Sequence, residues 1–188
     1  MKNLLLLLTL CILAFSCKEP QSQSVETTSQ EQSLYILGSK WKNQKNQSVT
    51  LDELKGKNVV LTMVFTSCQT ACPVLVADMK NIHSRLGAKA KENTQMVLVS
   101  IDPENDTPEV LSAYAQTNGL NEDFTLLVSD KESIRELANV LAVKYKKISP
   151  IVFSHSNIIT VLDKEGSMVT QSEGKVDHAA LAIAVNAL

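Results

Sequence analysis

Short apolar runs alternate along the chain with longer stretches of helical spacing, and this alternation predicts the architecture. Residues 59–65 are apolar and rich in β-branched side chains, the pattern of a buried strand. A helical pattern follows from about Cys72 to Ala90, with Pro73 suited to a first helical position, where its missing N–H costs nothing. A strand is predicted over 95–101, then a helix over 108–118, opened by Thr107 as N-cap and closed by Gly119. A strand over 124–128 leads to a helix from 131 to about 143, where Ser129 and Glu132 have the spacing of a capping box. A loop through Pro150 precedes a strand over 157–162, a turn over 163–166, a strand over 167–171 and an apolar closing helix over 178–188. The order β-α-β-α-β-α-β-β-α means a central sheet with helices on both faces, an α/β domain.

Ahead of this block, residues 35–57 read as an entry hairpin with a short helical turn stopped at Gly56. Trp41 is expected to pack beneath that hairpin rather than to face a partner. Residues 18–33 are rich in Ser, Gln and Thr and nearly free of large apolar side chains, so they read as a flexible tether. As random coil it would reach roughly 20–25 Å r.m.s.. Earlier still, 4–15 is apolar except for Thr9, too short to span a bilayer and suited to a signal-peptide core. The run Leu13-Ala14-Phe15-Ser16-Cys17 resembles a bacterial lipobox, in which the Cys becomes the lipid-bearing first residue. The expected organisation is a lipoprotein signal over 1–16, a tether over 17–33 with Cys17 lipidated, and a folded domain over 34–188. An uncleaved anchor or a plain secretory signal is the alternative.

Composition narrows the partners. The 188 residues are 44% hydrophobic, enough for a real core, and 18 Lys+Arg against 20 Asp+Glu leave a net charge of −2. With no basic block, nucleic acid is not an expected partner.

Four cysteines are present; Cys11 falls in the leader and Cys17 at the lipidation site, which leaves Cys68 and Cys72 as thiols of the domain. They sit at the strand-to-helix junction after residue 65, near the positive end of a helix dipole, which favours thiolate in both. Such a pair can exchange with a disulfide or bind a soft metal. As a structural disulfide it would close a very small loop and remove little entropy. A Cu(I) ion is content with two thiolates and an imidazole, and the chain has three histidines. His83 lies eleven residues beyond Cys72, about 16 Å along an ideal helix, too far to share a metal. His178, beside Asp177, reads as a capping or solvated residue. His155 lies in a short loop ahead of the last strands, and sequence spacing alone leaves open whether it reaches the cysteines.

Three stretches carry a resemblance. Residues 65–73 (FTSCQTACP) look like the copper-binding signature of the Sco (SenC-type) family, 100–108 (SIDPENDTP) like its second hallmark, and 153–156 (FSHS) fall where its ligand histidine belongs. The resemblance implies a thioredoxin-like fold, a central mixed sheet flanked by helices with an N-terminal hairpin extension. It implies a copper site made of Cys68, Cys72 and His155, holding Cu(I) and in some states Cu(II). Its members are associated with delivering copper to the dinuclear centre of cytochrome c oxidase, or with maintaining that centre's thiols. The expected partner is therefore the oxidase copper-site subunit or another cuproprotein acceptor. The expected setting is a bacterial envelope, the chain monomeric and lipid-anchored with its domain in the periplasm. Two positions depart from the pattern: Gln69 stands where Pro is common, and Ser154 where Asp is common. Neither is a ligand, but a lost carboxylate beside the imidazole alters copper affinity or docking. Asp102 and Asp106 are expected to organise their loop rather than to orient a partner.

A metallochaperone is thus expected ahead of an enzyme. The second reading is a thiol-disulfide oxidoreductase acting on an envelope partner such as the oxidase subunit, with Cys68 as attacking thiol and Cys72 its redox partner. The third is a thiol peroxidase on the same scaffold.

Overall fold

The computed structural model describes residues 33–188. The signal segment, Cys11, Cys17 and nearly all of the tether lie outside the described residues. The entry hairpin forms β1 (Lys40–Asn43) and β2 (Ser48–Thr50). Its Trp41 is 1% exposed, so it is a core residue, with its indole N–H donated to Ser39 Oγ at 3.1 Å. A 3-10 turn over Leu51–Leu54 follows, its start closed by Thr50 N–H donating to Glu53 Oε1 at 2.8 Å.

The apolar run becomes β3 (Asn58–Val64), all seven residues of which are buried. Burial of consecutive residues, not alternate ones, means that both faces of this strand are covered. Helix α1 (Ala71–Ser84) then leads through a break at Arg85–Gly87 to a short α2 (Ala88–Glu92). The single helix expected to Ala90 is therefore two. Gly87 is extended and its N–H is held by Asn186 Oδ1 at 2.8 Å, which turns the chain toward the next strand. Pro73 is the third helical residue rather than the first, still among the positions whose N–H has no partner within the helix.

Strand β4 (Thr94–Ser100), helix α3 (Pro108–Thr117) and strand β5 (Phe124–Val128) follow as expected, with Thr107 Oγ1 accepting from Val110 N–H at 3.4 Å. Helix α4 (Lys131–Val140) is shorter than predicted and is capped by Asp130, not Ser129. Asp130 Oδ1 accepts from Glu132 and Ser133 N–H at 2.9 Å each, while the Ser129 hydroxyl donates to the Lys40 carbonyl.

The expected loop through Pro150 is instead a hairpin, β6 (Tyr145–Ser149) and β7 (Val152–His155), forming a two-stranded sheet of its own. His155 is consequently the last residue of a strand. The chain ends with β8 (Ile158–Leu162), β9 (Met168–Glu173) and α5 (His178–Asn186). Gly166, in the β8–β9 turn, has φ +80°, and a Cβ there would come within 2.7 Å of the Tyr35 ring.

The main sheet runs β2-β1-β5-β4-β3-β8-β9. Strands β3, β4 and β5 are parallel, while β8, β9 and the β1–β2 pair join antiparallel. This is a mixed sheet flanked by helices, with the entry hairpin added at one edge: a thioredoxin-like fold. The crossovers from β3 to β4 and from β4 to β5 step the same way across the sheet, and right-handed connections put α1 and α3 on one face. Lys80 of α1 there donates to the Asn118 carbonyl at 2.9 Å. The C-terminal end of β3 and the start of α1 meet above the centre of this sheet, and that junction carries the thiols.

Candidate metal centre

Residues 65–70 leave β3 and turn before α1 begins, with Cys68 N–H donating to the Phe65 carbonyl at 3.2 Å. Cys72, the second residue of α1, is 0% exposed, whereas Cys68 in the turn is half-buried. Both are free thiols. Thr70, the N-cap of α1, makes no side-chain capping bond; instead the Cys72 N–H points at Cys68 Sγ at 3.3 Å. A sulfur thus occupies the place an Asp or Ser oxygen takes at other helix starts.

This geometry separates the two thiols. Burial pushes the Cys68 pKa up, but the N–H groups of Cys72, Thr70 and Ala71 and the Cys72 thiol together outweigh it, and the net shift is downward. Cys72 goes strongly the other way, because its burial disfavours a thiolate and the neighbouring Cys68 adds to the effect. The expectation of two activated thiols is corrected: the helix start favours thiolate at Cys68, and desolvation wins at Cys72.

His155 arrives from the far part of the sequence. Its Nε2 lies 3.6 Å from Cys72 Sγ, and its Nδ1 lies 3.0 Å from the Ser156 carbonyl. A carbonyl can only accept, which assigns the ring proton to Nδ1 and leaves the Nε2 lone pair facing the sulfur. Burial lowers the imidazole pKa, keeping the ring in the neutral form that binds metals. The ring stands edge-on to Phe65 at 5.8 Å, and Phe65 also packs on Phe153 at 5.2 Å.

The contact between Cys72 and His155 fits a metal. Bonds of about 2.3 Å to sulfur and about 2.0 Å to nitrogen, the lengths met at zinc, span a gap of this size at an angle of roughly 110°, between tetrahedral and trigonal. Among the described residues no three His, Cys, Asp or Glu side chains are already gathered as a metal-ion cluster. Cys72 and His155 already meet, and Cys68, whose sulfur faces the Cys72 N–H at 3.3 Å, is the candidate third ligand. Cys68 and His155 both line an open groove of about 510 Å³.

Polar ties fix the hairpin that carries His155. Ser67 Oγ donates to the Ile151 carbonyl at 2.8 Å, joining the cysteine turn to the hairpin tip. Asn105 Nδ2 donates both to Asp102 Oδ2 at 2.7 Å and to the Pro150 carbonyl at 3.2 Å, joining the second hallmark stretch to the same tip. On the flank, Glu104 is ion-paired with Lys147 of β6 and Lys131 of α4. Sequence reasoning missed Ser67 and Asn105, although both stand inside the stretches it singled out.

Asp102 and Asp106 are each 1% exposed, which removes them as partner-facing groups. Asp106 accepts from Thr66 N–H at 3.1 Å and from the hydroxyls of Thr66 and Ser100, both at 2.5 Å, so it braces the cysteine turn from below. The other two histidines are occupied elsewhere. His83 Nε2 lies 3.2 Å from Asp123, and His178 Nε2 lies 2.6 Å from Asp78 while Asp177 does the capping.

Residues 29–188 match the profile described as SCO1/SenC. A relative named SCO1 protein homolog, from Bacillus subtilis (strain 168), is 35% identical over 101 residues, covering 52% of this chain and 51% of its own length. The chain spans 51% to 63% of the lengths of the curated relatives that match it foremost. Among solved structures, Arabidopsis thaliana ScoI with copper bound has a TM-score of 0.70 at 23% identity, covering 79% of this chain and 94% of that one. At that identity the likeness speaks for the fold. BsSco, described with a disulfide switch as a member of the Sco family of cytochrome c oxidase assembly proteins, has a TM-score of 0.68 at 25% identity, covering 79% and 89%. The profile match takes in both thiols, the hairpin histidine and the closing helix, and with it the chain belongs to the SCO1/SenC family.

Proposed function

We propose that this protein is a copper chaperone that holds Cu(I) between Cys68, Cys72 and His155 and passes it to the copper centre of cytochrome c oxidase. The 3.6 Å approach of His155 Nε2 to Cys72 Sγ carries the reading, because it brings a neutral imidazole and a thiol from distant parts of the chain to metal-bridging range. The donor set of two sulfurs and one nitrogen is soft, as Cu(I) prefers. Copper in the Arabidopsis relative, and the oxidase-assembly description of the BsSco family, support the choice of metal and acceptor.

The chain's residues divide the work. Cys68, half-exposed and disposed to ionise, meets the incoming ion first. Cys72 gives up its proton as the ion arrives, so loading releases a proton from a site that otherwise resists losing it. His155, its tautomer set by the Ser156 carbonyl, supplies the third ligand. Release begins at the same ligand: an acceptor thiolate displaces Cys68, the accessible one, before the buried Cys72. Both sulfurs must be reduced throughout, so a Cys68–Cys72 disulfide blocks loading. The lipobox-like run ending at Cys17 and the polar segment after it support placement of the domain on a tether at a bacterial envelope membrane, facing the periplasm.

One observation favours the second reading, a thiol-disulfide oxidoreductase acting on the acceptor's cysteines. The split between an accessible, thiolate-prone Cys68 and a buried, protonated Cys72 is the asymmetry of an attacking and a resolving thiol. Anaerobic titration of the reduced full chain with Cu(I) against a competing chelator separates the two. The chaperone reading predicts one ion bound and at least about 100-fold weaker binding in His155→Ala, a loss no smaller than those seen for outer-shell changes. Binding unchanged in His155→Ala and Cys68→Ser, with disulfide reduction retained in His155→Ala and lost in Cys68→Ser, leaves the oxidoreductase.

A further inference from the structure

The β6–β7 hairpin stands apart from the main sheet, and its two faces differ. Phe153 and His155 turn toward the cysteine turn, whereas Lys146, Ile148, Val152 and Ser154 are exposed. Ile148 is 60% exposed, Ile151 at the tip 56% and Val152 47%. Such side chains scattered singly need no explanation, but here three lie on one small hairpin. Two of them, Ile151 and Val152, line the same groove as Cys68 and His155. Any molecule that reaches Cys68 through that groove must therefore cover them.

Charge then selects among occupants. Lys144 and Lys146 line a second depression that shares Ser154 and His155 with the groove. Lys146 lies directly across the strand pair from Ser154, so no cross-strand carboxylate neutralises it. Lys147, by contrast, is paired with Glu104. Neither Lys144 nor Lys146 forms an ion pair among the described residues. The imidazole thus borders both the groove lined by Ile151 and Val152 and a depression lined by two uncompensated ammonium groups.

We infer that this hairpin surface, centred on Ile148, Ile151 and Val152 and rimmed by Lys144 and Lys146, is the docking face for the copper acceptor. That acceptor presents an apolar patch bordered by carboxylates next to its own metal-binding cysteines. The inference rests on the chaperone reading, and a protein is favoured over a lipid surface because hand-off from Cys68 needs an incoming ligand that lipid lacks. The apolar strip supplies contact and the lysines steer encounter, so charge at the rim acts mainly on the association rate and its salt dependence.

The test follows copper transfer from the Cu(I)-loaded full chain, in detergent, to the reduced, metal-free copper domain of the oxidase subunit. The parent's bimolecular rate should fall steeply with ionic strength. Lys144→Glu/Lys146→Glu should slow transfer at least about tenfold at low salt and flatten that dependence, and Ile148→Ser should slow it severalfold at all salt concentrations. Cu(I) affinity should be unchanged in both variants, since none of these residues is a ligand. Transfer as fast as the parent's in both variants overturns the docking face while leaving copper binding intact. So does a parent rate insensitive to salt, or a charge-reversal defect confined to binding of anionic-lipid vesicles. Failure of the parent itself to bind Cu(I) strikes the chaperone reading instead.

Discussion

Strand β3 and the β6–β7 hairpin contribute to the same groove and are held in place by opposite means. Strand β3 lies between β4 and β8 with all seven residues buried, and it delivers the cysteine turn at its end. The hairpin belongs to no larger sheet, most of its residues are at least partly exposed, and it delivers His155. Apolar burial of β3 and Cys72, with the Asp106 hydrogen bonds beneath the turn, fixes the sulfurs. A handful of hydrogen bonds, the Phe65 contacts and one forked ion pair fix the imidazole. Rigid burial suits ligands that must keep their spacing. A lightly tied hairpin suits a ligand that already faces a buried sulfur and must later let an ion go.

Breaking each side should therefore have different consequences. Leu61, 1% exposed in β3, should cost about 3 kcal/mol of stability when replaced by alanine, through lost transfer energy and the cavity left behind. Val152→Ala, on the exposed face of the hairpin, should stay within about 0.5 kcal/mol. Urea unfolding of both variants checks this contrast, and equal losses would mean that the hairpin is part of the core after all.

The split between the thiols sharpens the picture within the cysteine turn itself. Iodoacetamide should modify Cys68 at least about tenfold faster than Cys72 in the folded, reduced protein, since reactivity follows exposure and thiolate character. The Cys68 rate should rise with pH through a midpoint below that of an ordinary thiol, because the N–H groups at the helix start favour its thiolate. The signs for stability are opposite. Cys68, with its folded pKa lowered, contributes stability above its unfolded pKa that is lost as pH falls through the folded one. Cys72, with its folded pKa raised, contributes stability that is whole below the unfolded pKa and is lost as pH rises past it. Peptide mapping of the labelled protein reads the order directly, and equal labelling contradicts it.

A smaller effect is expected at the hairpin tip. Asn105→Ala removes the donor that joins Asp102 to the Pro150 carbonyl, and should weaken Cu(I) binding about two- to fivefold, the equivalent of one neutral hydrogen bond. Stability should change by no more than about 1 kcal/mol. Hydrogen exchange confined to residues of the hairpin would register the loosening, and unchanged exchange there would show that Ser67 alone holds the tip.

The two regions also differ in how far the chain announces them. The β-branched run of β3, Thr107 and Gly119 at the ends of α3, and the turn at Gly166 each carry a local chemical signal, and each was legible. The hairpin was not, because Lys146, Lys147 and Ser154 break any apolar alternation and its fixed position comes from Ser67 and Asn105, far away in sequence. Asp130 outcompeted Ser129 as a cap because its carboxylate reaches two N–H groups at once. The raised pKa of Cys72 was likewise invisible, since spacing reveals a helix start but not how deeply the second thiol is buried. Spacing alone did not bring His155 to the thiols; family resemblance did, and the strand β7 that carries it there is a feature of the folded chain.

X-ray absorption at the copper edge of the Cu(I)-loaded, reduced protein tests the central claim most directly. Two sulfur neighbours and one imidazole nitrogen are predicted, with the nitrogen lost in His155→Ala and one sulfur lost in Cys68→Ser. A spectrum with sulfur neighbours alone in the parent, unaltered by His155→Ala, would contradict it.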